Sequence, residues 1–196
     1  MGAARPPGRV FVVSSPSGGG KTTLVAKLRR RLPGLVRSVS VTTRAPRHGE
    51  RQGRDYHFVS VPAFRRMSRA GQLLEQARVH GAHYATPKRP VVQALARGRN
   101  VVLSIDVRGA RQVRRVLGRR AVLIFLVPPS IEDLRRRLIR RRTETPAAIR
   151  RRLAAARREL ACAPWYHHRV VNDRLDRAIA EVAAIIEGSN RNERGQ

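Results

Sequence analysis

Val10-Phe11-Val12-Val13-Ser14-Ser15-Pro16-Ser17-Gly18-Gly19-Gly20-Lys21-Thr22-Thr23 runs from an apolar strand, through a glycine-rich turn, into the amphipathic stretch Leu24 to Leu32. Strand, loop and helix start in that order are the context in which a phosphate-binding loop forms. Glycines let successive N–H groups turn toward one anion, and the helix N-terminus adds its dipole. Lys21 and Thr22 then reach the terminal phosphates and a Mg²⁺ ion, so the expected ligand is a nucleoside triphosphate. Ser15 stands where the pattern G-x-x-x-x-G-K-[ST] has its first glycine.

The 196 residues suit one α/β domain with small inserted lobes, and 41% apolar content reads as globular rather than disordered. The formal net charge of +29 implies attraction to polyanions, whether nucleotide, nucleic acid or anionic membrane. Yet only Lys21, Lys27 and Lys88 stand against 39 arginines, a usage bias that ties the charge to no particular partner. A nucleic-acid reading rests on charge alone, without interleaved aromatic residues. A single Cys162, in an apolar setting, excludes an internal disulfide framework and fits a reducing cytoplasm as a small packed side chain. No apolar run approaches the roughly 18 residues of a membrane span. Met1 to Gly8 reads as a short flexible lead.

Working outward from the loop, Leu24, Val25, Leu28 and Leu32 form a helix stripe stopped at Pro33-Gly34. Ser38 to Arg47 is an extended, β-branched stretch in which Ser40, Arg44 and Arg47 offer either a second anion site or solvated surface. Asp55 to Val59 alternates as a strand, Val61 to Ala70 is a helix and Leu73 to Val79 a strand. Glu75 within that strand is either outward-facing or a ligand-directed acceptor. Tyr56 and Tyr84 are core edges or ligands.

Pro90 to Ala96 and Gly109 to Leu117 read as helices, Val101 to Asp106 and Ala121 to Val127 as buried strands. This alternation argues for a parallel sheet, with Asp106 at the carboxyl end of a strand, where such sheets bind ligands. From Ile131 two arginine-rich helices flank a polar turn, the second spanning Ala147 to Leu160 and opening at Thr145-Pro146. They are a mobile lid over a triphosphate, a solvated basic hairpin or a nucleic-acid patch. Val170 to Asp173 closes the strands, a helix through Ile186 follows, and Gly188 to Gln196 is expected to fray.

With the loop, Thr42-Thr43-Arg44-Ala45-Pro46-Arg47, Asp55-Tyr56, Leu74-Glu75, Tyr84 and Asp106 in this order, the chain resembles guanylate kinase from about Val10 to Ile186. The resemblance implies a P-loop NTPase three-layer fold with a parallel central sheet, an inserted mixed GMP-binding lobe and a helical lid. It places the core in residues 9–37, 88–130 and 160–188, the GMP lobe in 38–87 and the lid in 131–159. The activity implied is transfer of the γ-phosphoryl of ATP to GMP, and to dGMP, with Mg²⁺, in the cytoplasm and without membrane or obligate nucleic-acid partner. No oligomeric state follows from the sequence.

Carried onto this chain, ATP contacts fall on Ser15, Pro16, Ser17, Gly18, Gly19, Gly20, Lys21, Thr22 and Thr23, with Thr22 toward the metal and Asn172 near adenine. GMP phosphate contacts fall on Ser40, Arg44, Arg47, Tyr56 and Tyr84, and guanine recognition on Glu75, Thr86 and Asp106. Lys21, Arg44 and the lid arginines Arg137, Arg141 and Arg152 would face the transferring phosphoryl. Two further departures from the family pattern stand out. Ser104-Ile105-Asp106 replaces Asp-x-Asp, leaning the metal on Thr22, phosphates and water. Arg140-Arg141-Arg142 replaces Gly-Arg-Gly, implying a stiffer, more electrostatic lid. The competing readings are a P-loop kinase for another phosphorylated acceptor, and an interaction module, which need not keep Lys21-Thr22.

Overall fold

A computed structural model describes residues 6–79, 81–140 and 145–191, the last two by backbone alone. Strands β1 (Val10–Ser14), β2 (Val36–Arg37), β7 (Val101–Ser104), β8 (Ala121–Val127) and β9 (His168–Val171) form a five-stranded sheet of order β2-β7-β1-β8-β9. Strands β3 (Val41–Thr42), β4 (His57–Phe58), β5 (Leu73–Val79) and β6 (Ala82–Pro87) form a second sheet of order β4-β3-β6-β5. The chain divides into two compact units. One takes the chain up to Val10 with Gly34–Leu103 and Arg108–Ala121, and the other Phe11–Pro33, Ser104–Val107 and the chain from Val122.

In the first unit β2 pairs β7 in parallel, and the small sheet is mixed, β3 running parallel to β4 and antiparallel to β6. Val41, Phe64 and Ala85 form its buried core, packed by Val59, Met67 and Leu73. Helix α2 (Val61–Arg69) starts where Ser60 accepts from the Ala63 N–H at 3.3 Å, with Pro62 in the first turn. Helices α3 (Lys88–Ala96) and α4 (Val107–Leu117) follow β6 and β7. The predicted strand Asp55 to Val59 shortens to two residues. The Asp55 carboxylate accepts the Arg51 N–H, and Gln52 takes the Phe58 N–H, so the run up to Tyr56 is spent on a turn. Gly8, placed above in a flexible lead, is instead buried: its N–H donates to the Leu95 carbonyl at 2.9 Å, and a Cβ there would stand 2.1 Å from the Arg99 oxygen.

In the second unit β8 and β9 pair in parallel, with Leu126 opposite Val170, and every residue of β1 is buried. Helix α1 (Lys21–Arg31) turns Leu24, Val25 and Leu28 inward and packs on α7 (Leu175–Arg191). Helices α5 (Ile131–Arg140) and α6 (Pro146–Leu160) pack on each other. α6 opens on Thr145, which accepts the Ala148 N–H at 3.3 Å, with Pro146 first in the helix as expected. α7 does not fray at Gly188: it continues to Arg191, with the Ser189 hydroxyl donating to the Ile185 carbonyl at 2.8 Å. Cys162 is half-buried. Among the described residues no helix is long and apolar enough to cross a membrane.

Candidate active site

The loop after β1 is a cradle closed by its own side chains. Gly18 and Gly20 sit at φ of 89° and 93°, which a side chain disfavours, and Gly20 caps α1. The Gly19 N–H donates to the Pro16 carbonyl at 2.9 Å. Ser15 fits the position the pattern gives to glycine because its hydroxyl, on a residue 2% exposed, turns in to the same Pro16 carbonyl at 2.9 Å. Gly19 has to be glycine beside it, since a Cβ would meet Ser15 Oγ at 2.6 Å. The first turn of α1 carries no acidic residue of its own, and Thr22 and Thr23 are exposed there.

Lys21 folds back onto the loop, its Nζ donating to Ser15 O at 2.6 Å and to Ser15 Oγ at 3.3 Å. Burial lowers its pKa, while the carboxylates of Glu159 and Asp106 act in the opposite sense. Asp106 lies just beyond the carboxyl end of β7, which stops at Ser104 rather than running on as the sequence suggested. Glu159, in the last turn of α6, accepts the Ser17 N–H at 3.3 Å.

Asn172, 5% exposed, is wedged behind the loop. Its Nδ2 donates to the Gly19 carbonyl at 2.8 Å, and a Cβ on Gly20 would lie 2.7 Å from the same atom. Arg137 of α5 donates in turn to the Asn172 carbonyl at 2.8 Å. The side chain expected near adenine thus also braces the loop, and one lid arginine supports it. Arg152 is half-buried on α6. Arg141 lies outside the described residues.

The first unit gathers the residues expected at a second anion site around Arg44. Thr42 Oγ1 accepts the Arg44 N–H at 3.2 Å and donates to the His83 carbonyl at 3.0 Å, which fixes the turn into the arginine. Glu50 then grips the end of the guanidinium bidentately, Nη1 and Nη2 each donating at 2.9 Å, and takes the Arg47 N–H at 2.7 Å. Nε of Arg44 donates to Tyr84 Oη at 3.2 Å. The end of the fork is therefore occupied, Nη1 also donates to the Ala45 carbonyl at 2.6 Å, and Nε is turned to the Tyr84 hydroxyl. Tyr56 stands edge-on to Tyr84, with ring centroids 6.0 Å apart, and 5.4 Å from the Arg44 Cζ. Burial first, and Tyr84 second, push its phenol pKa up. Ser40 is half-buried beside β3, and Arg47 is exposed.

Glu75 is 4% exposed and accepts from the Thr86 hydroxyl at 2.7 Å. Of the two sequence readings for this carboxylate, the outward-facing one is wrong. The pairing of β5 with β6 slips between Leu73 and Glu75, so Leu74 and Glu75 are both buried in succession. Sequence reading passed over Glu50 and Glu159. The available signals were Glu50's place three residues after Arg47 and Glu159's standing as the sole acid of α6.

Among the described residues no three His, Cys, Asp or Glu side chains cluster to hold a metal. A glycine cradle that leads a parallel strand into a helix, served by arginines and by carboxylates that position donors, marks a P-loop kinase. Similarity narrows that class. A family model described as guanylate kinase matches residues 7–189, and the chain belongs to the guanylate kinase family. It is 46% identical over 187 residues to a guanylate kinase of Thermosynechococcus vestitus, covering 95% of this chain and 97% of that one. It is 49% identical to one of Gloeobacter violaceus, over 94% and 89%. The crystal structure of guanylate kinase from Anaplasma phagocytophilum superposes with a TM-score of 0.80 at 32% identity, covering 95% and 88%. A gluconokinase from Sinorhizobium meliloti, at 17% identity and a TM-score of 0.52, shares the fold alone.

Proposed function

We infer that this chain transfers the γ-phosphoryl of ATP to GMP, giving ADP and GDP, and accepts dGMP as well. The observation that carries the base specificity is Glu75, a buried carboxylate held by Thr86 in the same unit as the Arg44 fork. Guanine offers N1–H and N2–H₂ as adjacent donors to such an acceptor pair, whereas adenine presents an acceptor at N1. The acceptor nucleophile is a phosphate oxygen already anionic at neutral pH, so no general base is required. Transfer needs alignment and charge neutralisation instead.

In this reading Ser15 to Thr23 hold the ATP phosphates, Lys21 tracks the charge as it moves, and Asn172 acts on ATP by setting the loop. Arg44, Arg47, Ser40, Tyr56 and Tyr84 hold the GMP phosphate, with Thr86 and Asp106 assisting Glu75. Residues 38–87 form the GMP lobe, and 131–159 form a lid that brings Arg137, Arg141 and Arg152 to the phosphates. Mg²⁺ fits the Thr22 hydroxyl, which lies exposed beside Lys21. A hard cation that keeps its waters needs little protein beyond one such oxygen, so Ser104 in place of a family aspartate is tolerable. When bound, the ion adds charge neutralisation at the phosphates. Such an enzyme works in the cytoplasm, where both nucleotides are found.

A coupled ADP-release assay with ATP, Mg²⁺ and GMP, dGMP, AMP, CMP or UMP tests the reading. Turnover is expected with GMP and dGMP. Equal turnover of AMP and GMP, or none with either, overturns it. Glu50 adds a second expectation: Glu50→Ala, by freeing Arg44 to rotate, should raise KM for GMP about tenfold and change kcat less, consistent with the loss of one charge-assisted hydrogen bond. The Arg44 hydrogen bonds, opposed by some desolvation, hold the Glu50 carboxyl below its ordinary pKa. Its contribution is therefore intact above the ordinary carboxylate range and is lost as pH falls through the lowered value.

A further inference from the structure

Two donors of the cradle are taken up by the chain itself. Lys21 is turned onto Ser15, and the Ser17 N–H is taken by Glu159, 142 residues further along. We propose that Glu159 is a built-in occupant of the triphosphate cradle, a carboxylate that holds the Ser17 N–H until an incoming nucleotide phosphate displaces it. This deepens, and rests on, the reading of the loop as the ATP site.

Three observations support the exchange. A backbone N–H carries one proton, so Ser17 serves Glu159 or a phosphate oxygen but not both at full strength. Glu159 acts electrostatically on Lys21, the cation that a triphosphate most needs, and a carboxylate left beside a triphosphate repels it. Glu159 is also the sole acid of α6, whose other charged residues are arginines. Arg152 lies seven residues before it, two turns earlier on the same helix face. Release of the carboxylate thus removes the tie between Ser17 and the helix that presents a lid arginine, which couples entry of the nucleotide to α6. A ligand that has to displace a resident group binds with its intrinsic affinity reduced by the fraction of sites already vacated.

The test is calorimetric titration with ADP, which cannot turn over without a phosphoryl donor, in EDTA and again with Mg²⁺. Glu159→Gln should bind ADP about three- to tenfold more tightly than wild type in both conditions, with GMP affinity unchanged. Its nucleotide-free melting temperature should fall while the shift produced by ADP widens. Glu159→Asp keeps the charge but draws it back from Ser17 by one methylene. It should tighten ADP binding by a smaller factor and serves if the glutamine variant does not fold. Unchanged or weaker ADP binding by the variants overturns the proposal, and weakening confined to Mg²⁺ would make Glu159 a support for the metal instead. A wild-type protein that fails to bind ADP at all removes the ATP reading of the loop and this inference with it.

Discussion

Lys21→Ala should lower kcat by about two to three orders of magnitude or more, the range found when one preorganised donor to a developing charge is removed. The fold should survive, because the ammonium contributes to packing only through Ser15. Lys21 is half-buried, and burial depresses its pKa while the nearby carboxylates of Glu159 and Asp106 resist that shift. In such surroundings its charge is less screened than that of a fully exposed lysine. Lys21→Arg should not restore activity. The Nζ that donates to Ser15 is a compact point charge on a flexible stem, and the longer, planar guanidinium cannot place its charge at the same point. A chain that uses arginine at 39 of its 42 strongly basic positions and keeps lysine here supports the same view. Steady-state kinetics with saturating ATP, GMP and Mg²⁺ checks both variants, and near-normal turnover by Lys21→Ala would refute the loop assignment.

Local chemistry made much of the fold legible. β5 and β8 fall where their apolar runs begin and end, Leu73 to Val79 and Ala121 to Val127, because Gly71 and the Pro128-Pro129 pair leave no alternative. The cradle was legible for the same reason: its function depends on backbone, and glycine is the visible trace of backbone that must bend. What escaped reading is whatever depends on side chains meeting from distant parts of the chain. Asn172, expected near adenine, also donates to the Gly19 carbonyl across 153 residues. Glu50, passed over in the sequence, holds the Arg44 fork still. Glu159, also passed over, meets the Ser17 N–H from 142 residues away. Each of these acts on a main-chain group or guanidinium whose position no periodicity reports.

Glu75 shows the limit most clearly, and it carries the second large expectation. On a regular strand the successive residues Leu74 and Glu75 face opposite sides, and with Leu74 buried the carboxylate reads as outward. The slip in pairing with β6 buries both. Glu75→Gln should leave the fold intact, since Thr86 can donate to the amide oxygen or accept from its nitrogen. One acceptor oxygen is nevertheless exchanged for a donor facing another donor on guanine, and an unpaired buried polar group costs about 1–3 kcal/mol. We expect kcat/KM for GMP to fall about 100-fold. For AMP the same change is favourable: an amide donates to adenine N1 and accepts from its N6 amine, so AMP turnover should rise. The GMP-to-AMP ratio of kcat/KM should therefore drop further than GMP activity alone, as happens when a site built on hydrogen bonds loses its complement. Parallel measurements with both nucleotides decide it. Equal losses for GMP and AMP would mean that Glu75 shapes the lobe without reading the base, and would transfer the burden of guanine recognition to Asp106.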